Sequence, residues 1–172
     1  MKHEVIDNFL DEEYFNLLVT IFIDRGKNNE GDGSQFSMPW FFDSSISDDV
    51  KVNSFWHLFY EAHLPQSQHF DALLPLVDKL GARCVIQAKA NLYPCTHILH
   101  EHQMHADYDS SCSSAILSLN TCDGYTKLKD GTKIDSVANR VLLHDPSIEH
   151  CGTSTTNVNA RINLNINYME FH

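Results

Sequence analysis

At 172 residues the chain is a single domain of ordinary size, with 42% hydrophobic and 20% charged residues, enough to bury a core. Its formal net charge is −11 and its twelve Lys and Arg are scattered, which excludes nucleic acid as an expected partner. No apolar run approaches the roughly 20 residues of a membrane span, and the opening MKHEVIDNFLDEEYF lacks the basic and apolar regions of a signal peptide, so the expected address is cytoplasmic.

Asp7-Asn8 followed by FLDEEYFNLLVTIF predicts a capped amphipathic helix with Phe15, Leu18, Val19 and Phe22 on one stripe. RGKNNEGDGS (25–34) reads as a polar loop. A second helix is predicted in DDVKVNSFWHLFYEAHL, and a third in FDALLPLVDKLG with Gly81 as its C-cap. The aromatics of MPWFFD (38–43) and SFWHLFY (54–60) read first as core and helix packing. Residues 1–81 are thus expected to be helical support and loops.

After Gly81 the pattern changes. ARCVIQAKANLY, SSAILSLNT, YTKLKDGTKI, NRVLLHD and NARINLNINYMEF are short β-branched or alternating runs separated by turn residues, which predicts a sandwich or jelly roll over 82–172. In the last run Arg161, Asn163, Asn165 and Asn167 share one face, and Ile162, Leu164, Ile166 and Tyr168 share the other. Asparagine is a poor strand former, so three in alternation beside an arginine predict a polar cavity inside the β-core. The apolar face is expected to pack on the N-terminal helices. Cys84, Cys95, Cys112, Cys122 and Cys151 form no CxxC pair and predict reduced thiols.

The stretch HEHQMHADYDS (100–110) concentrates groups that can bind a metal. In an extended segment His105 and Asp107 point the same way, and a distant histidine would complete a two-histidine, one-carboxylate set on one face of an octahedral ion. His150 is the candidate, and Arg161, eleven residues on, could clamp a carboxylate with its forked guanidinium. Rival ligands are Asp109, His144 and a cupin-like pair, His100 and His102. His97, His100, Glu101 and His102 otherwise read as a loop over the pocket mouth.

These residues resemble the Fe(II)- and 2-oxoglutarate-dependent oxygenases, in particular the small prolyl-4-hydroxylase-like type. The resemblance runs from about Asn91 to Tyr168 and takes in the opening VIDNFLDEEYF, the NLYP strand, HADY, and AILSLNTCDGYTKLKDG ahead of the NR-containing strand. It implies a mainly β, α+β protein whose core is a double-stranded β-helix (jelly roll). It also implies iron on His105, Asp107 and His150, and the distal carboxylate of 2-oxoglutarate on Arg161. Tyr93, and less directly Asn91 and Asn163, would line the cosubstrate pocket. Ser118 stands where many prolyl hydroxylases have a tyrosine that shares this carboxylate. Asn167 stands where the nucleic-acid demethylase branch has a second arginine.

The implied activity is a dioxygenase that hydroxylates an unactivated C–H bond, with Fe(II), 2-oxoglutarate and O2 as reactants and succinate and CO2 as products. A prolyl residue or an amino acid is the nearest substrate, so a peptide or small molecule is the expected partner. The alternatives are a cupin-like metal enzyme using His100 and His102, or a jelly-roll binding module without catalysis. Loops such as 25–50 and 95–104 are expected to carry specificity.

Overall fold

The structure, a computed structural model, describes residues 3–23, 38–43, 53–108 and 112–170. In chain order the elements are β1 (His3–Ile6), α1 (Glu12–Phe22), β2 (Phe41–Asp43), β3 (Ser54–Glu61) and β4 (Leu64–Pro65). A 3-10 turn (Phe70–Leu73) then runs into α2 (Leu74–Lys79). The remaining strands are β5 (Cys84–Pro94), β6 (Ser113–Ser118), β7 (Tyr125–Leu128), β8 (Lys133–Asp135), β9 (Arg140–His144), β10 (His150–Gly152) and β11 (Ala160–Met169).

The strands form two sheets. The larger has the order β1-β9-β6-β11-β5-β3-β2, with β4 on β3; the smaller is β10-β7-β8. All pairings between these strands are antiparallel. From β6 onward the chain passes from the larger sheet to the smaller, back at β9, across again at β10 and back at β11. This is the jelly-roll arrangement, mainly β with helices outside, that the strand pattern predicts. No helix among the described residues is long and apolar enough to cross a membrane, and all five cysteines are free thiols.

The alternation of β11 divides the interior. Ile162, Leu164, Ile166 and Tyr168 join Ala88, Ala90 and Leu117 on the face covered by α1 and α2, which contribute Phe15, Leu18, Phe22 and Leu76. The opposite face of the larger sheet looks onto the smaller one. There Ile116, Leu128, Ile134 and Leu142 form a second, compact apolar cluster, and the rest of the intersheet space is polar.

Two helix expectations need correction. First, α1 begins at Glu12 rather than just after Asn8. Its cap is Asp11, whose carboxylate accepts from the Tyr14 N–H at 2.9 Å, and Glu12 and Glu13 suit the positive end of the helix. Asn8 has φ 51°, outside the helical region. Second, SFWHLFY is strand β3, not helix; residues 44–52 of that predicted helix lie outside the described residues. His57 and Phe59 are buried on one side of β3, while Trp56 and Leu58 lie on the other. A strand covered on both faces accommodates a nearly continuous aromatic run, whereas a surface helix would bury only one stripe of it. The third prediction agrees with the structure: α2 ends at a left-handed Gly81 (φ 67°).

The entry of the chain into α1 is fixed from far away. The Asn139 amide accepts from the Leu10 N–H and donates to the Leu10 carbonyl, both at 2.8 Å, and its backbone is left-handed (φ 61°). Asn139→Ala is expected to lower stability by about 2–4 kcal/mol in urea unfolding, because it strands two buried backbone groups and adds left-handed strain. Asn139→Gly removes the strain but not the lost bonds, so it should recover only about 1 kcal/mol of that loss. Equal stability of all three proteins would show that this link carries no weight.

Candidate active site

The smaller sheet is extended on its open edge by the irregular segment 100–107. His100 and Ser154 are joined through the Ser154 N–H, which donates to the His100 carbonyl, and His102 N–H donates to the Gly152 carbonyl. His105 and His150 form a reciprocal pair, each backbone N–H donating to the other's carbonyl at 3.0 and 2.8 Å. The Asp107 N–H is then held by the Pro146 carbonyl at 3.0 Å. The segment HEHQM, read as a loop over the pocket mouth, lines the cavity and is irregular but bridged to β10, and Asp107 itself stands just outside regular strand.

This pairing brings two histidines 45 positions apart face to face, their ring centroids 4.8 Å apart. Among the described residues, His105, Asp107 and His150 form the one group able to hold a metal, with ligand atoms all within 4.8 Å of one another. His100, His102 and His144 do not join it, and Asp109 lies outside the described residues.

The donor atoms are prepared for an ion. Nδ1 of His105 lies 3.1 Å from the Gln103 carbonyl, and Nδ1 of His150 lies 3.0 Å from the Ile148 carbonyl. With the proton on Nδ1 each ring presents a bare Nε2 lone pair. Burial lowers the pKa of His150, favouring the neutral ring that ligation needs, against the opposing pull of the Ile148 carbonyl and Asp107. One oxygen of Asp107 accepts from Asn165 at 2.8 Å and lies 3.5 Å from the Asn167 amide. The other, Oδ1, stands 3.5 Å from Nε2 of His105. Nε2 of His144, whose ring packs edge-on against His150, and Oδ1 of Asn167 are buried with no hydrogen-bond partner. Two nitrogens and one carboxylate oxygen converging this way suit a divalent transition metal with open positions.

The ligands line a cavity of about 870 Å³ between the sheets. Tyr93, Asn91 and Asn163 also line it, and the Asn91 amide donates to the Asn163 carbonyl oxygen at 3.1 Å. Arg161 lies directly behind Thr126, Gly152 and Tyr93, its exposure only 1% and its guanidinium 5.4 Å from the Tyr93 ring centroid. Nε donates to the Ser136 hydroxyl at 3.1 Å, Nη2 to the Thr126 hydroxyl at 2.9 Å and Nη1 to the Thr153 carbonyl at 3.3 Å. No described carboxylate pairs with it. Burial depresses the pKa of Arg161 and raises that of Tyr93, while the proximity of the two groups partly offsets both shifts. Ser118 is also buried but does not line the cavity; its hydroxyl accepts from Ser136 at 3.4 Å.

Sequence reasoning missed Thr126, Ser136, Gly124 and Gly152. Thr126 is on β7, Gly152 on β10, Gly124 just before β7 and Ser136 just after β8, and nothing local marks them as neighbours of Arg161. His102, read from the sequence as part of a loop over the pocket mouth, lines the cavity with its ring 4.7 Å from that of Tyr93. Burial and the nearby Arg161 cation push the His102 pKa down to about 4.

No protein-family model matches the chain, and no curated protein sequence does. Solved structures do. A Pseudomonas putida prolyl-4-hydroxylase aligns over 98% of this chain and 92% of its own at TM-score 0.61 and 16% identity. A 2OG-Fe(II) oxygenase family oxidoreductase from Burkholderia pseudomallei aligns over 99% and 86% at TM-score 0.66 and 12% identity. A Trichoplax adhaerens prolyl hydroxylase, solved with a peptide of hypoxia inducible factor, aligns over 98% and 83% at 0.65 and 14%. The shared property is the fold, and it extends over nearly the whole chain.

Two glycines make room for the guanidinium. A Cβ on Gly124 would meet Cδ of Arg161 and the Ser154 carbonyl, each at 2.7 Å; one on Gly152 would meet Nη1 of Arg161 at 2.9 Å. Gly124→Ala presses on backbone and should cost about 1–3 kcal/mol in urea unfolding. Gly152→Ala presses on side chains alone, Arg161 and Tyr93, and should cost less. The reverse order would show that the Arg161 pocket is not packed as described.

Proposed function

We propose that the protein is a 2-oxoglutarate-dependent dioxygenase that hydroxylates an unactivated C–H bond, releasing succinate and CO2. The observation that carries this reading is a His105–Asp107–His150 donor set lining a cavity, with a buried arginine that lacks a carboxylate partner directly behind the cavity wall. The oxygenase fold of the aligned structures supports it.

His105, Asp107 and His150 would hold Fe(II). When bound, the ion supplies the redox chemistry by which O2 splits 2-oxoglutarate and delivers one oxygen atom to the substrate carbon. The chain's own residues hold and orient. Asn165 fixes one carboxylate oxygen of Asp107 and so frees the other for the metal. The carbonyls of Gln103 and Ile148 set the tautomers of the two imidazoles. Arg161 supplies charge for the distal carboxylate of the cosubstrate. It has five N–H donors and commits three to the protein, leaving two.

Thr126 stands in for the tyrosine absent at Ser118. Its hydroxyl accepts from Arg161 and lines the cavity, so its own proton remains to be donated to the same carboxylate. Tyr93, Asn91 and Asn163 wall the cosubstrate. The aligned prolyl hydroxylases favour a peptidyl proline or amino acid as substrate. The cytoplasmic address stays part of this proposal.

Anaerobic Fe(II) with 2-oxoglutarate should produce the weak visible charge-transfer band of a chelated ferrous ion. The band should vanish in His105→Ala, Asp107→Ala and His150→Ala and persist in His100→Ala. Asn165→Ala should keep the band but need about 10–100-fold more Fe(II) to reach it. A folded wild-type protein without the band rules the reading out, and loss of the band in His100→Ala would move the site to the cupin-like pair.

A further inference from the structure

Lys89 stands out among the cations of this chain. It lies on β5 and lines the cavity, and its partner across the β5–β11 ladder is Asn165, the residue that holds Asp107. Directly opposed residues of an antiparallel pair project to the same face, so the Lys89 side chain rises beside the metal ligands. On its other flank Leu58 is its partner in β3, with Trp56 diagonal to it.

Its charge is unmatched. Lys127, Lys129, Lys133 and Arg140 each face a carboxylate at the surface, as expected in a chain with net charge −11. Lys89 makes no hydrogen bond or ion pair with any described residue, and it is the one Lys or Arg among the described residues lining the cavity. The acidic groups around it are already engaged. Glu101 receives Lys127 and the Tyr125 hydroxyl, both at 2.7 Å; Asp107 is held by Asn165; and Asp43 is not free. With the cosubstrate in place, its two carboxylates and Asp107 balance Arg161 and a divalent ion, and none of these negative charges is left for the Lys89 ammonium. Covering that ammonium with a neutral substrate would desolvate it without recompense.

We propose that the substrate bears an anionic group, a carboxylate or a phosphate, that pairs with Lys89 and so fixes which carbon faces the metal centre. This rests on the dioxygenase reading above. The rest of the substrate lies against the Trp56 ring and meets the carboxamides of Asn91 and Gln103, which suits a small acid with an apolar body and some polar groups. An internal prolyl residue of an uncharged peptide does not meet this description.

The test measures succinate release under saturating 2-oxoglutarate against matched probes. These are the twenty L-amino acids and their N-acetyl derivatives as free acids, the same compounds as carboxamides, and phosphate monoesters of apolar alcohols. Anionic members should stimulate turnover and their neutral counterparts should not, and which anionic set responds separates carboxylate from phosphate. Lys89→Met should lower kcat/KM for the stimulating anion at least about 30-fold, and Lys89→Arg should retain most of it. The ferrous charge-transfer band with 2-oxoglutarate should persist in Lys89→Met, showing that the metal and cosubstrate site is intact. The proposal is overturned if carboxamides stimulate as well as acids, if the anion preference survives Lys89→Met, or if no anionic probe changes succinate release while the wild-type band is present. Absence of the band in the wild-type protein overturns the dioxygenase reading instead, and this inference with it.

Discussion

A guanidinium sealed from water is the most demanding group in this molecule. An unpaired buried ion costs several kcal/mol even after the surroundings relax, and Arg161 is satisfied only by two hydroxyls and one carbonyl. Its neighbours are chosen accordingly. Gly124 and Gly152 leave it space, Ser136 and Thr126 accept from it, and Tyr93 offers a ring face. None of them removes the charge. An apolar side chain at 161 would fill the same intersheet layer at lower cost, as Ile116 and Leu142 do farther along. In the reading proposed above the cation is kept ready for an anionic guest, while the apolar burial of the same sheet lies on its helix-covered face.

That division is possible because β11 presents two unlike faces. One face merges with α1 and α2 into the main core; the other lies between the sheets, where an apolar plug closes one part and the polar cavity occupies the rest. His105, Asp107 and His150 reach that cavity from the opposite wall. His105 and His150 are fixed by reciprocal backbone bonds rather than by long side-chain networks, so their spacing is set by ladder geometry. Their rings are then aimed by carbonyls two residues back in each case, a local device independent of the rest of the fold.

The two-residue spacing of His105 and Asp107 and the Arg-x-Asn-x-Asn alternation were readable in the sequence, because each depends on side-chain direction along an extended segment; His150 was a candidate by its place ahead of Arg161, and the backbone pairing of His105 with His150 is what brings it to the other two. The strands after Gly81 were readable for the same reason. What escaped was decided by partners far away. SFWHLFY has no period that separates strand from helix, and only pairing with β5 on one side and β2 and β4 on the other settles it. β10 is three residues long, too short for any pattern. Glycines 124 and 152 matter through contacts with a residue 37 and nine positions on, respectively, and the unpaired state of Lys89 becomes visible only when every nearby carboxylate has been assigned.

Register ties these features into one unit. Asn163 and Asn165 line the cavity, and Arg161 lies behind its wall, only because β11 pairs with β5 and β6 as it does, Arg161 opposite Tyr93 and Asn165 opposite Lys89. A slip of one residue would turn all of them toward the helices and bring Ile162 and Leu164 into the cavity. The guanidinium, the amide that holds Asp107 and the placement beside Lys89 would be lost together. The irregularity between Asn167 and Tyr168 absorbs one extra residue of β5 beyond the site, so that Tyr168 and Val85 both return to the apolar core. The same apolar packing that stabilises the fold therefore enforces the register, and through it the alignment of cation, metal ligands and cavity wall. The site has no separate framework of its own.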